Sequence, residues 1–209
     1  MADMFNILKV TVGDSKLTAR VLVNPGAPLY TSEDIEATAR VYYLVPAIAQ
    51  HTCLGDAGSK FQDCMADTEV AHLLEHVTVE IMNQTGLAGD IVSGRTFSVE
   101  NDERLFDIEL SCPDDVLTIG ALSSATFMLQ WAFMRSDQTP PDFDGTVDAL
   151  TAMVKSLRGE AAGDEGEGGE HDDGDDEDEG YAGPIDTEGA VAVESGDSRG
   201  AVYGGAAAS

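Results

Sequence analysis

Apolar and polar positions alternate with a strand-like period of two in four places along this chain and recur with a helical period in four others. Phe5–Val12 and Lys16–Val23 are rich in β-branched and aromatic residues and are separated by Gly13-Asp14-Ser15, which reads as a hairpin turn. Pro25-Gly26-Ala27-Pro28 then breaks the chain. Thr31 or Ser32 can cap a helix towards Gln50, with Asp34 and Glu36 in its first turn and Pro46 as a kink or division. Its expected core contacts are Ile35, Ala39, Tyr42, Tyr43 and Ile48. Residues 52–63 read as a loop.

A second helix is predicted over Met65–Gln84, ending before Gly86, with Val70, Leu73, Leu74, Val77 and Ile81 as its apolar stripe. His72, Glu75, His76, Glu80 and Asn83 fall on the other side, which predicts a polar face that does not compete with the core. Ile91–Val99 and Arg104–Cys112 read as strands, and in the second Phe106, Ile108 and Leu110 alternate with Leu105, Asp107 and Glu109. Helices over Val116–Met134 and Asp144–Leu157 follow. The order ββαα-ββαα predicts an α+β domain over residues 1–158, with an antiparallel sheet of about four strands against about four helices.

From Gly159 the pattern stops. Residues 159–209 hold 16 acidic side chains against one arginine, a net charge of −15, within a chain whose net charge is −28. This stretch lacks the apolar surface to offset its ordering entropy and reads as a disordered acidic tail. The remaining 158 residues are acidic as well, at −13. Such a field argues against nucleic acid and anionic membranes as partners and suits cationic partners or metal ions. No stretch reads as the roughly 20 apolar residues of a membrane span, and the N-terminus does not read as a signal peptide. The three cysteines, Cys53, Cys64 and Cys112, are spaced unlike a disulfide framework and read as reduced thiols of a cytoplasmic protein, although a Cys53–Cys64 bridge is compatible with them.

His72-Leu73-Leu74-Glu75-His76 has the H-x-x-E-H spacing. On a helix, positions i and i+4 share a side, so both imidazoles can meet one ion, and Glu75 at i+3 lies beside them. This is the inverzincin arrangement of two histidine ligands and a carboxylate that acts as general base. Zinc suits such donors, and manganese, iron or cobalt are alternatives. Glu80, one turn beyond His76, is a competing ligand or a group orienting a histidine. Arg95 has the planar fork that matches a substrate carboxylate, and equally that of a surface ion pair. His51, beside Cys53, reads as a satisfied core or loop histidine.

Several segments together resemble the N-terminal domain of cyanophycin synthetase. Leu44-Val45-Pro46-Ala47-Ile48 with His51 and Cys53 is similar to its L-P-S-L…E-H-x-C stretch, and Ala71 to Glu80 to its G-H-[IL]-[IV]-E-H-V-A-L-E-L segment. Gly86-Leu87 and Gly94-Arg95-Thr96 resemble A-G-M…F-G-R-T-R, and Phe106 to Leu110 resembles V-V-Y-E-Y. The resemblance covers roughly residues 38–133. It implies a domain that holds a poly-aspartate polymer bearing arginine and, in some members, a metal-dependent peptidase-like site that clips it. Carried over, His72 and His76 are ligands, Glu75 the base, and Glu109 the third ligand. Phe97 replaces a second arginine of the family pattern, so substrate contacts there differ. The ATP-grasp and Mur-ligase-like domains of a complete synthetase find no counterpart in these 209 residues. The expectation is a stand-alone domain with a divalent-metal site that hydrolyses amide bonds in an Asp/Arg-rich polymer. The alternative is a non-catalytic polymer- or protein-binding module with a structural or vestigial metal site.

Overall fold

The computed structural model describes residues 3–53, 58–89 and 92–159; the predicted acidic tail lies, apart from Gly159, outside the described residues. Four strands form one antiparallel sheet: β1 (Phe5–Val12), β2 (Lys16–Val23), β3 (Gly94–Val99) and β4 (Asp102–Ser111), in the order β1-β2-β4-β3. Four helices accompany it: α1 (Ile35–Leu44), α2 (Val70–Gln84), α3 (Asp115–Met134) and α4 (Phe143–Leu157). The α+β class and the ββαα-ββαα order are therefore as the periodicity predicts.

Alternation divides the sheet into two unlike faces. Leu17, Ala19, Val21 and Val23 of β2 and Phe106, Ile108 and Leu110 of β4 point inward and are buried. Thr18 and Arg20 lie opposite Glu109 and Asp107 on the outer face. There Arg20 makes a two-pronged contact with Asp107, at 2.8 and 2.7 Å, and Lys16 pairs with Glu109.

Boundaries differ from the expected ones for identifiable reasons. α1 stops at Leu44, because Pro46 has no N–H to continue the ladder, and a separate 3-10 turn occupies Pro46–Gln50. Its inward residues are Ala37, Thr38 and Val41, whereas Ile35, Tyr42 and Tyr43, expected in the core, face solvent. Three of these positions are aromatic or large, so their size suggested burial although their phase around the helix excludes it. α2 begins at Val70, not Met65. Backbone bonds from Thr31 to Thr68 (2.8 Å) and from Val70 to Leu29 (2.9 Å) hold the preceding residues in an extended link.

The largest departure concerns the environment of α2. All thirteen residues from Val70 to Met82 are buried, polar ones included. The helix packs against β3 and β4, beside α3, and under the Pro46–Gln50 turn. The expected solvent-facing polar side is instead an interior polar seam. α3 also corrects the membrane argument, since Asp115–Met134 has the length and composition of a span. In this fold it is a core helix, with Leu117, Ala121, Leu122, Ala125, Met128, Leu129 and Ala132 buried against its neighbours.

Candidate metal centre

The seam on α2 is completed by the segment that precedes it. Phe61 N–H bonds to His51 O (2.9 Å), Thr52 bridges Lys60, and Cys53 N–H bonds to Ser59 O (3.0 Å). These ties pair residues 51–53 with residues 59–61 and deliver His51, Cys53 and Phe61 to the helix. The Phe61 ring stacks on His76, with centroids 3.7 Å apart, and meets His72 edge-on at 5.2 Å. Both imidazoles are thereby fixed in orientation by an apolar plate.

His72 Nε2 and His76 Nε2 face one another at 3.0 Å, and Cys53 Sγ lies 3.7 Å from His72 Nε2. One donor atom from each of the three residues falls within 4.8 Å of the others, and all three residues are buried. Tetrahedral zinc, with bonds of about 2.0–2.1 Å to nitrogen and about 2.3 Å to sulfur, would need N···N and N···S edges of about 3.3 and about 3.6 Å. The observed separations differ from these by a few tenths of an ångström. The donor set therefore fits a divalent ion of zinc's kind.

Hydrogen bonding behind the imidazoles prepares the same arrangement. Glu80 accepts from Gln84 Nε2 (2.6 Å) and from His51 Nε2 (2.7 Å). His51 Nδ1 also lies 3.2 Å from His76 Nδ1, a contact in which one ring nitrogen donates and the other accepts. Thr68 Oγ1, whose proton faces Glu69 (3.4 Å), accepts from His72 Nδ1–H at 2.8 Å. With both rings neutral and each Nδ1 donating, the two Nε2 lone pairs would face the same point, where a cation can take both.

Glu75 sits beside this pair in full burial. Thr96, on the inward face of β3, donates to Glu75 Oε2, while Oε1 is buried without a hydrogen-bond partner. The backbone of Gly94 approaches so closely that a Cβ there would lie 2.5 Å from Glu75 Cγ. Burial raises the Glu75 pKa to about 7, against the opposing pull of His72 and Thr96. Burial likewise lowers His76, to about 3. At His72 burial is outweighed by Cys53 and Glu75, which raise it. The hydrogen bond to Cys53, then burial, raises the Cys64 thiol.

Of the residues singled out from the sequence, His72, Glu75 and His76 come together. Glu80 is close, but it reaches the ligands through His51 and does not take the place of one. Glu109 is not the third ligand. It stands on the outer face of the sheet, where alternation turns it away from α2 and Lys16 pairs with it. Arg95 lies opposite Glu109 on that same face, with its guanidinium 5.8 Å from the centre of the Phe97 ring. Sequence reasoning missed Cys53 as a member of this group, and also the contacts of Thr68, Thr96 and His51. The signal for Cys53 was the H-x-C pair within the family-like stretch, set aside because the cysteines are not closely paired.

The sequence model of the family described as the Cyanophycin synthase-like N-terminal domain matches residues 26–131, which include every residue of this centre. The chain belongs to that family. The match runs from the end of the β1–β2 hairpin into α3, so it spans α1, α2, β3 and β4. No curated protein matches the chain.

Proposed function

We propose that this cyanophycin synthase-like domain holds a divalent transition metal, zinc by preference, through Cys53, His72 and His76, and hydrolyses amide bonds with Glu75 as general base. The observation that carries the reading is the orphaned, buried Oε1 of Glu75 beside a three-donor set. Structural zinc centres close all four positions with protein ligands, whereas catalytic ones keep three and leave one open. A bound ion would supply Lewis-acid activation of water and of the scissile carbonyl. Glu75 Oε1 is free to take the proton of an attacking water, and a pKa near 7 lets it return that proton to a leaving amine. Thr96 keeps Oε2 occupied and so aims Oε1. Gly94 leaves the space that the carboxylate fills.

The substrate we assign is an amide in an Asp/Arg-rich polypeptide of the cyanophycin kind, on the strength of the family and of the acidic chain's preference for cationic groups. Arg95 stands on the outer face of the sheet, away from this centre, so it is assigned no contact with substrate bound there. Nucleic acid and membrane partners do not suit the charge, and reduced thiols suit a cytoplasmic setting.

Full burial of Glu75 and His76 favours a second reading, a non-catalytic module in which the metal ties Cys53 to α2. The test is turnover of an Asp/Arg peptide by zinc-loaded protein beside Glu75→Gln. Turnover lost in the variant with zinc still bound supports hydrolysis. Zinc bound with no turnover in either protein, and a fall in melting temperature on chelation, supports the structural reading.

A further inference from the structure

Cys53 Sγ has two competing neighbours. One is His72 Nε2 at 3.7 Å, in the metal centre, and the other is Cys64 Sγ at 3.8 Å. None of the three cysteines is in a disulfide; Cys53 is buried and Cys64 only partly so. Cys53 and Cys64 are brought together by the Thr52–Lys60 bridge and by the turn at Phe61–Asp63, whose backbone also holds the Cys64 thiol through Phe61 O (3.4 Å). A disulfide needs sulfurs about 2.05 Å apart, so the two atoms have under about 2 Å to travel, which side-chain rotation can supply.

From this arrangement we propose that Cys53 and Cys64 form a reversible disulfide that expels the metal, so that the occupancy of the centre depends on peroxide. The inference rests on the metal reading and adds its regulation. The chemistry balances with one peroxide. A cysteine thiolate attacks one peroxide oxygen, the O–O bond breaks, and the departing hydroxide takes up the proton released when the thiol ionised, leaving a sulfenic acid and a water. The second thiol attacks the sulfenic sulfur and releases another water as the S–S bond forms. The two thiols have then lost two protons and two electrons, and the peroxide has been reduced to two waters. A metal ligand must be a thiolate, and a disulfide sulfur is neutral. Cys53 can therefore serve the ion or Cys64, not both. Partial exposure of Cys64 gives the oxidant an entry, and Cys112, in the residues following β4, has no part in it.

The experiment loads the full chain with zinc under reducing conditions, adds hydrogen peroxide, and follows zinc release with a chromogenic chelator and the intact mass. Wild type is expected to release its zinc as the mass falls by two hydrogens, with peptide mapping placing the bridge at Cys53–Cys64. Dithiothreitol should then restore zinc binding. Cys64→Ser should bind zinc when reduced but lose it at least about tenfold more slowly under peroxide, with no intramolecular bridge formed. Cys112→Ser should behave as wild type. Zinc release from wild type with both thiols free, or reversible release from Cys64→Ser at the wild-type rate, overturns the proposal. If the reduced wild type takes up no zinc, the metal reading falls and the regulation with it. Uptake of zinc without the bridge sinks the regulation alone.

Discussion

On the outer face of the sheet, Glu109 pairs with Lys16 and Asp107 with Arg20, and solvent reaches all four side chains. On the inner side Glu75 has a hydroxyl on one oxygen and nothing on the other, and no solvent reaches it. Both settings place carboxylates next to β-strands, so residue type does not separate them. Desolvation does. In water an ion pair is weak and interchangeable, whereas in the interior every unpaired lone pair costs free energy and calls for a partner. The face that carries the visible salt bridges is therefore the less informative one. The polar seam on α2, which violates the amphipathic pattern, is where function is sought.

Substitutions can break this contrast. The largest effect is expected at His76, which is fully buried under Phe61. His76→Ala should abolish stoichiometric zinc binding and cost about 3–5 kcal/mol in denaturant unfolding of the zinc-loaded protein, by cavity formation and loss of the ion together. A metal-free stability equal to wild type and intact zinc binding would remove the seam's special status.

Next comes Glu75, whose effect depends on pH. Its pKa is raised from 4.5 to about 7 in the folded chain, so the folded state holds the proton more tightly than the unfolded one. That stabilisation is complete below pH 4.5 and is lost as the pH rises through about 7. Relative to Glu75→Gln, metal-free wild type should therefore lose about 3 kcal/mol across that window. Parallel stability curves for the two proteins, measured by urea unfolding from pH 4.5 to 8, would show that Glu75 is solvated after all. Gly94→Ala should cost about 1–3 kcal/mol, because its methyl group must displace Glu75. Gly26→Ala, with nothing within 4 Å, serves as its control. The smallest effect belongs to the outer face, where Glu109→Ala or Arg20→Ala should change stability by less than about 1 kcal/mol.

Strand alternation in β2 and β4, the Gly13-Asp14-Ser15 turn and the ends of α3 and α4 could all be read from the sequence, because each is a local signal. The spacing of His72, Glu75 and His76 was legible for the same reason, being set by one turn of one helix. What escaped was set by contacts across the chain. Whether the polar side of α2 meets water depends on His51, Cys53 and Phe61 lying over it, and that in turn rests on backbone bonds between His51 and Phe61 and between Cys53 and Ser59. Cys53 comes beside the two histidines only through those bonds. Glu109 was misassigned because a motif gave its position along β4, while the face it occupies follows from the pairing of Thr18 and Arg95 beside it. Tyr42 and Tyr43 show the same limit, since size predicts burial only where a neighbouring element covers the residue.

Cobalt(II) substitution tests the centre most directly, because a thiolate bound to cobalt gives a charge-transfer band in the near ultraviolet that histidine and carboxylate ligands do not. The wild-type chain should take up one equivalent of cobalt, with tetrahedral d–d bands and that thiolate band. Cys53→Ser should lose the band, His72→Ala should lose the ion, and Glu109→Ala should match wild type. A cobalt spectrum without thiolate character, or one that disappears on changing Glu109, would contradict the account.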